Sequence, residues 1–203
     1  PHLMYNKRAE ERMRELRKLT RLEELSRRIV AGWDEAHEGA TQERHGDVEF
    51  KHTVETIDLP LRVVTDEAYA NAKAKVEEYS KDITKRRIMV WHQDAVNRYE
   101  RQKAGTATPY KMQLHAIRLG DIAITTNDFE LYTEFGVQMK SKSRALQTFV
   151  VQLAGPGTYV PTPRAERGGG YSAIIESNLV GAEGGQVLAD KTVEAVNALW
   201  PAQ

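Results

Sequence analysis

Two strand-like runs joined by a tight turn constrain the fold of this chain more than any other feature. Tyr110–Leu119 and Ile122–Thr126 are rich in β-branched and apolar residues, and Gly120-Asp121 between them is a hairpin signal. The pattern then changes to a helix over about Phe129–Lys142, with Glu130 near its start. A carboxylate at that point is either a helix N-terminal cap or a residue of a functional site.

A second informative block is glycine-rich and contains two tyrosines. Tyr159 lies between Gly157 and Pro161, in a segment that we expect to be irregular, and its phenol is either a packing side chain or a functional hydroxyl. Tyr171 follows the three glycines 168–170, whose backbone freedom suits the close approach of a ligand. The two blocks place one acid and two phenols near strand ends, as oxygen ligands or acid/base groups of a hydrolase.

Composition favours one soluble globular domain over residues 1–203. The length allows one sizeable core, and 40% hydrophobic with 29% charged residues is typical of such domains. A formal net charge of zero argues against a nucleic-acid partner, and no apolar run reaches the roughly 20 residues of a transmembrane segment. The chain has no cysteine, which excludes disulfides, thiolate metal sites and cysteine nucleophiles.

A long N-terminal helix is predicted over Met4–Trp33. Apolar residues recur every three or four positions and are expected to pack on a core; they are Met13, Leu16, Leu19, Leu22, Leu25, Ile29 and Trp33. Arginine, lysine and glutamate alternate on the other faces. We interpret them as a solvated, salt-bridged surface, with a nucleic-acid or lipid-headgroup patch as the alternative.

The remaining elements alternate between strands and helices. His52 falls on the apolar face of a predicted strand over residues 48–54, where a buried, hydrogen-bonded histidine is favoured over a ligand. In the helix predicted over Ile83–Lys103, one face is assigned to the core; it consists of Ile88, Trp91, Ala95 and Tyr99. The predicted elements are extended chain over 57–64, helices over Thr65–Tyr79 and Ile83–Lys103, a buried strand over Thr148–Ala154, and a closing helix over Gln186–Trp200. The pattern predicts a mixed α/β (α+β) fold, a layered mixed sheet with packed helices.

Local motifs identify no complete catalytic centre. The six histidines have neither HxxxH nor HExxH spacing, and no Gly-x-Ser-x-Gly occurs. The triple glycine lacks both the strand-before, helix-after context and the lysine of a phosphate-binding loop.

Three segments together resemble a known family. Arg118–Gly136, Gln152–Ala154 and Tyr159–Tyr171 are similar to the C-terminal half of the catalytic domain of neutral/alkaline ceramidases, especially bacterial ceramidase-like members. In that family a glutamate six residues before a glycine and the tyrosine of a Tyr-x-x-Thr segment bind zinc. Glu130 before Gly136 matches the first pattern, and Tyr159-Val-Pro-Thr matches the second.

The resemblance implies an activity and a cofactor. It implies a zinc-dependent amidohydrolase that cleaves an N-acyl amide, with Glu130 and Tyr159 as metal ligands and Tyr171, twelve residues after the ligand tyrosine, as a catalytic residue. One zinc ion would be shared with two histidines outside this chain, and these, with an active-site serine, would belong to an N-terminal half of the same precursor. Family habit implies export, so a secreted or periplasmic location is expected.

The substrate stays open at this point, because three features depart from the family pattern. Asp128-Phe129 replaces Pro-Gly, Gly155-Pro-Gly157 replaces Asn-x-Tyr, and Tyr171-Ser172 replaces Tyr-Glu. The substrate is therefore either an N-acyl lipid such as ceramide or another small acyl amide or ester. A non-catalytic subunit, in which Glu130 and Tyr159 are only structural, is the alternative from another functional class.

Overall fold

The structure, a computed structural model, describes residues 2–201 and divides the chain into two compact units, Pro1–Val48 and Glu49–Gln203. Helices and a mixed sheet confirm the predicted mixed α/β class. Within the described residues, none of the helices combines the length and apolar character needed to cross a membrane. That the two units form a single domain stays a prediction.

The first unit contains two helices where the sequence predicts one. Helix α1 spans His2–Arg17 and α2 spans Arg21–Ala40. Lys18 between them has a left-handed backbone with φ of 56°. Thr20 caps α2 through a capping box with Glu23, in which each side chain bonds the other residue's backbone N–H. The cap begins a new helix, so the prediction of one continuous helix is wrong.

The apolar stripe of these helices is exposed, which also corrects the prediction that it packs on a core. Leu16, Leu22, Ile29 and Trp33 are each more than half exposed. Ion pairs, rather than apolar packing, connect the two helices. The buried side chain is that of Glu24, which accepts hydrogen bonds from arginines of both helices.

A four-stranded sheet is the centre of the second unit. In their order across the sheet, the strands are β1 (Phe50–Leu59), β2 (Tyr110–Leu119), β3 (Ile122–Thr126) and β5 (Gln147–Val151). The first three are antiparallel, and β5 runs parallel to β3. The hairpin predicted at Gly120-Asp121 is confirmed, and Gly120 has a φ of 59° in its turn.

Helices α5 (Thr133–Lys142) and α7 (Ala182–Asn197) cover one face of this sheet. The core between them is apolar; it includes Leu59, Met112, Leu114, Ala123, Phe135, Met139, Leu188 and Val196. The closing helix begins four residues before the predicted Gln186. Gly184 and Gly185 in its first turn lie against Val180, Val160 and Phe135, and a methyl group there would collide with those side chains.

The opposite face of the sheet is open. His52 is exposed there rather than buried, and its Nε2 lies 3.1 Å from Nδ1 of His115 on β2. Strand β5 was expected to be buried, yet Phe149 and Val151 are 47% and 44% exposed. Both expectations are wrong for one reason: an apolar alternation shows which residues share a face, but not whether anything covers it.

Two further helices of the second unit pack together, and their bounds are close to the predicted ones. These are α3 (Asp66–Ser80), capped by Thr65, and α4 (Arg86–Lys103), which follows a 3₁₀ turn at Ile83–Lys85. Ala72, Ala95 and Val96 form their contact, and the rings of Tyr69 and Tyr99 stack at 4.1 Å. Of the predicted core face, Ala95 is buried and Tyr99 is half-buried, but Ile88 is 47% exposed and Trp91 is half-buried.

Candidate functional site

Glu130 and Tyr159 lie side by side on two short parallel strands, β4 (Glu130–Leu131) and β6 (Tyr159–Val160). The Glu130 N–H donates to the Thr158 carbonyl at 3.1 Å, and the Tyr132 N–H donates to the Val160 carbonyl at 3.1 Å. Glu130 is thus a strand residue, and α5 begins three residues later with Tyr132 as its N-cap. Two expectations are wrong here: that Glu130 starts the helix and that Tyr159 lies in irregular chain. The pairing of β4 with β6 joins segments that are far apart in the chain, so a local sequence pattern does not predict it.

Two glycines allow the segment that carries Tyr159 to pack closely against the segment that carries Glu130. Gly155 and Gly157 lie directly against Asp128 and Phe129, and a methyl group on either glycine would collide with them. The Gly157 N–H donates to the Asp128 carbonyl at 3.1 Å, and the Tyr110 hydroxyl donates to the Asp128 carboxylate at 2.8 Å. The Asp128-Phe129 and Gly155-Pro-Gly157 features that depart from the family pattern therefore contact each other.

The predicted site residues share one cleft of about 1030 Å³. Glu130, Tyr159 and Tyr171 line it, and the rings of the two tyrosines are 6.1 Å apart in an edge-to-face arrangement. Trp91 of α4 lies 5.9 Å from the ring of Tyr171. The apolar part of the lining is made by Ile88, Val90, Trp91, Leu153 and Leu179; its ionisable part also includes Arg87, Asp94 and Glu176. The structure thus brings together all three residues that the sequence singled out.

Buried polar side chains fix the segment that carries Tyr171. Two 3₁₀ turns, Tyr171–Ala173 and Ile175–Ser177, follow the short helix α6 (Pro163–Gly168). The guanidinium of Arg98, 5% exposed, donates to the carbonyls of Ile175 and Asn178, both at 2.6 Å. The side-chain amide of Asn178 donates to the carbonyl of Tyr159 at 2.9 Å. The same network therefore holds both tyrosines in place.

The electrostatics of the cleft keep the Tyr159 phenol protonated. The neighbouring Glu130 carboxylate, as a hydrogen-bond acceptor, is the main reason that the pKa of Tyr159 is raised, and partial burial adds to it. Within residues 2–201, no arginine, lysine or histidine forms an ion pair with Glu130. The site therefore holds a carboxylate and an adjacent proton-bearing oxygen, and Arg87 in the same cleft forms no ion pair with that carboxylate.

Sequence reasoning missed an acid–base pair at the edge of the cleft. Glu176 lines the cleft, and its Oε1 is 2.9 Å from Nδ1 of His92 on α4. Both side chains are more than four-fifths buried. Trp91 was assigned to the core and instead forms part of the wall. No sequence signal marks these residues, because their positions depend on how α4 packs against a segment far along the chain.

The two residues that the resemblance implies as zinc ligands, Glu130 and Tyr159, both line this cleft. Glu130 and Tyr159 are register partners, and the Glu130 carboxylate acts on the Tyr159 phenol as a hydrogen-bond acceptor, so their oxygen atoms are a suitable pair for one divalent cation. In the part of the chain that the structure describes, no group of three or more histidine, aspartate or glutamate side chains is placed to hold a metal ion. No histidine lines the cleft among those residues. The residues present thus fit half of such a site.

Comparison with family models, with curated proteins and with solved structures finds no match to this chain.

Proposed function

We propose that this chain is the C-terminal part of a zinc-dependent amidohydrolase that resembles neutral ceramidase and cleaves an N-acyl amide. One observation carries the proposal: Glu130 and Tyr159, the two residues that the resemblance implies as zinc ligands, are register partners in one cleft that also holds Tyr171. Two imidazoles would come from the N-terminal half of the same precursor.

Glu130 and Tyr159 would hold the metal, and their chemistry suits that role. The carboxylate lacks an ion-pair partner in the described residues and is free to bind a cation. The Tyr159 hydroxyl must lose its proton to become a ligand, and its raised pKa makes that loss depend on the cation. Bound zinc supplies Lewis acidity toward the amide carbonyl and a nucleophile at neutral pH.

In this proposal, Tyr171 acts on the reacting carbonyl. It is 70% exposed, and its ring meets both Tyr159 and Trp91. Its phenol can donate a hydrogen bond to the oxyanion that develops when an amide is attacked. The apolar wall of Ile88, Trp91 and Leu153 suits an apolar acyl group. An N-acyl lipid, a short acyl amide and an ester all present such a carbonyl.

One observation favours the alternative of a non-catalytic subunit: among the described residues no histidine lines the cleft, and two oxygen ligands alone leave a zinc ion mostly hydrated. The exposure of Glu130 and Tyr171 argues against a purely structural role, because exposed side chains contribute little to packing.

The test is zinc content and hydrolysis in the protein purified together with its upstream segment. About one zinc per complex is expected, with hydrolysis of one class in a panel of N-acyl lipids, short acyl amides and esters. Glu130→Gln and Tyr159→Phe should each weaken zinc binding by more than about tenfold. Tyr171→Phe should lower kcat and leave zinc content unchanged.

Matched controls lie outside the cleft. Glu134→Gln on α5 and Tyr79→Phe on α3 remove the same chemical groups and should leave zinc content and kcat at wild-type values. An intact assembly without bound metal would contradict the proposal and favour the non-catalytic subunit.

A further inference from the structure

Three aromatic rings line the cleft, and Tyr171 is the central one. The centroid of its ring is 5.9 Å from that of Trp91 and 6.1 Å from that of Tyr159. The ring planes of Tyr171 and Tyr159 are 75° apart, and those of Tyr171 and Trp91 are 33° apart, so the three rings do not form one stack. Because all three line the same cleft and Tyr171 is 70% exposed, a ligand in the cleft can reach them.

In the described part of the chain, none of these three rings has a lysine or arginine over its face. The face of an aromatic ring attracts a cation through the ring quadrupole. Four other rings already have a basic side chain of the protein over them: Tyr69, Tyr79, Tyr99 and Trp200. The rings of the cleft are thus available to a cation from outside.

The charges of the cleft favour a cationic ligand over an anionic one. Three carboxylates line it against the one guanidinium of Arg87; they belong to Asp94, Glu130 and Glu176. Asp94 lies 3.2 Å from the buried Arg98, and Glu176 lies 2.9 Å from His92. Glu130 forms no ion pair within residues 2–201, so its charge remains available to a cation in the cleft.

We infer that this cleft binds a methylated ammonium group against the ring of Tyr171, with Trp91 and Tyr159 as the adjoining walls. A cation about 5 Å from the centroid of Tyr171 can also lie within about 6 Å of a neighbouring ring, the range in which the attraction acts. A methylated ammonium suits ring faces, because a quaternary nitrogen has no N–H group to satisfy. A primary ammonium has three N–H donors that need acceptors.

The inference goes beyond the proposed function and does not depend on it. Ammonium binding uses the ring faces of Tyr159 and Tyr171, whereas the proposed zinc binding and catalysis use their oxygen atoms. If both hold, the substrate is an amide or ester that also carries a methylated ammonium group.

Binding of choline to this chain, followed by NMR with a metal chelator present, tests the inference. Choline should shift the indole N–H signal of Trp91, with a dissociation constant on the order of 1 mM or lower. The indole signals of Trp33 and Trp200 are internal controls, and the ring of Trp200 is already covered by Arg118 at 4.5 Å. Dimethylbutanol, in which a carbon atom replaces the charged nitrogen of choline, should bind at least about fivefold more weakly.

Variants of Tyr171 separate the role of its ring from that of its hydroxyl group. Tyr171→Phe keeps the ring and should bind choline within about twofold of the wild type, whereas Tyr171→Leu should bind at least about fivefold more weakly. Phe50→Leu is the matched control, because it removes a ring that is 66% exposed and lies outside the cleft. It should bind choline as the wild type does.

Four results would overturn the inference. They are the absence of a choline-induced shift of Trp91, equal affinity for choline and dimethylbutanol, unchanged choline binding in Tyr171→Leu, and tighter binding of methylammonium than of choline. Equal affinity for the neutral compound would show a merely apolar cleft. Tighter binding of methylammonium would show that the carboxylates, rather than the rings, select the ligand.

The two proposals fail separately. Choline binding by a chain whose intact assembly holds no zinc refutes the proposed function and keeps the ammonium site. A zinc-containing, active assembly whose chain does not bind choline refutes the ammonium site and keeps the function.

Discussion

The candidate site requires glycine at position 157, because its neighbours leave no room for a side chain. Its α-carbon faces the Asp128 carbonyl and the ring of Phe129, which is fully buried. The backbone cannot move away without breaking the hydrogen bond from the Gly157 N–H to Asp128. This contact sets the distance between the segments that carry Glu130 and Tyr159.

Gly157→Ala should therefore destabilise the protein by about 1–3 kcal/mol, the usual cost of forcing atoms into a packed region. Gly168→Ala is the matched control, because a methyl group there meets nothing within 4 Å. Urea unfolding followed by circular dichroism measures both. Equal midpoints for the two variants would show that Asp128 and Gly157 are not packed as described.

At the scale of elements, a buried carboxylate joins α1 to α2. Glu24 is 1% exposed, and it accepts hydrogen bonds from Arg17 of α1 at 3.1 Å and from Arg27 and Arg28 of α2 at 2.9–3.0 Å. Hydrogen bonding from Arg27 is the main reason that the pKa of Glu24 is lowered to about 2. The sequence predicts a solvated, salt-bridged surface that includes Arg17 and Glu24. The ion pair between these two residues is present, but Glu24 is buried rather than solvated.

The lowered pKa predicts how acid affects the first unit. A depressed pKa stabilises the folded state fully above the unfolded value of about 4.5, and that stabilisation is lost as pH falls toward about 2. Glu24→Gln should lower helicity and melting temperature at pH 7, and its difference from the wild type should shrink between pH 4.5 and 2.

Glu35→Gln, on the exposed part of α2, is the control for Glu24→Gln and should melt like the wild type at each pH. Circular dichroism at 222 nm across this pH range provides the measurement. A Glu24→Gln difference that does not change with pH would mean that the arginines do not stabilise the ionised carboxylate.

For the whole molecule, the proposed role of Tyr159 as a zinc ligand predicts that zinc binding depends on pH. Its raised pKa keeps the hydroxyl neutral at pH 7–9, so binding as a phenolate releases a proton. The zinc affinity of the complete assembly should thus rise with pH by about tenfold per unit for each proton released.

Tyr159→Phe has no phenolic proton to release. Between pH 7 and 9 its zinc affinity should therefore rise less steeply than that of the wild type, with about one fewer proton released per zinc ion bound. Competition with a chromophoric chelator measures the slope, and Tyr79→Phe is the control. The same slope in Tyr159→Phe and the wild type would exclude Tyr159 as a ligand. Without metal, the raised pKa stabilises the fold below pH 10 and this contribution is lost as pH rises further.

The sequence alone determined the elements whose signals are local. The hairpin at Gly120-Asp121 and the helix capped by Thr65 follow from backbone preferences within a few residues, and the structure confirms both. Glu130, Tyr159 and Tyr171 were also selected from sequence, by spacing within a resembled pattern. One local signal was missed. The capping box of Thr20 and Glu23 can be seen in the sequence, and it begins a second helix where one continuous helix was predicted.

Tertiary structure alone decided what lies beside these residues. Pairing of β4 with β6, the Trp91 wall and the Glu176–His92 pair join segments far apart in the chain, so no local pattern encodes them. The exposure of His52 and Phe149 was decided in the same way. Alternation assigns side chains to a face, and only packing against another layer determines whether that face is buried.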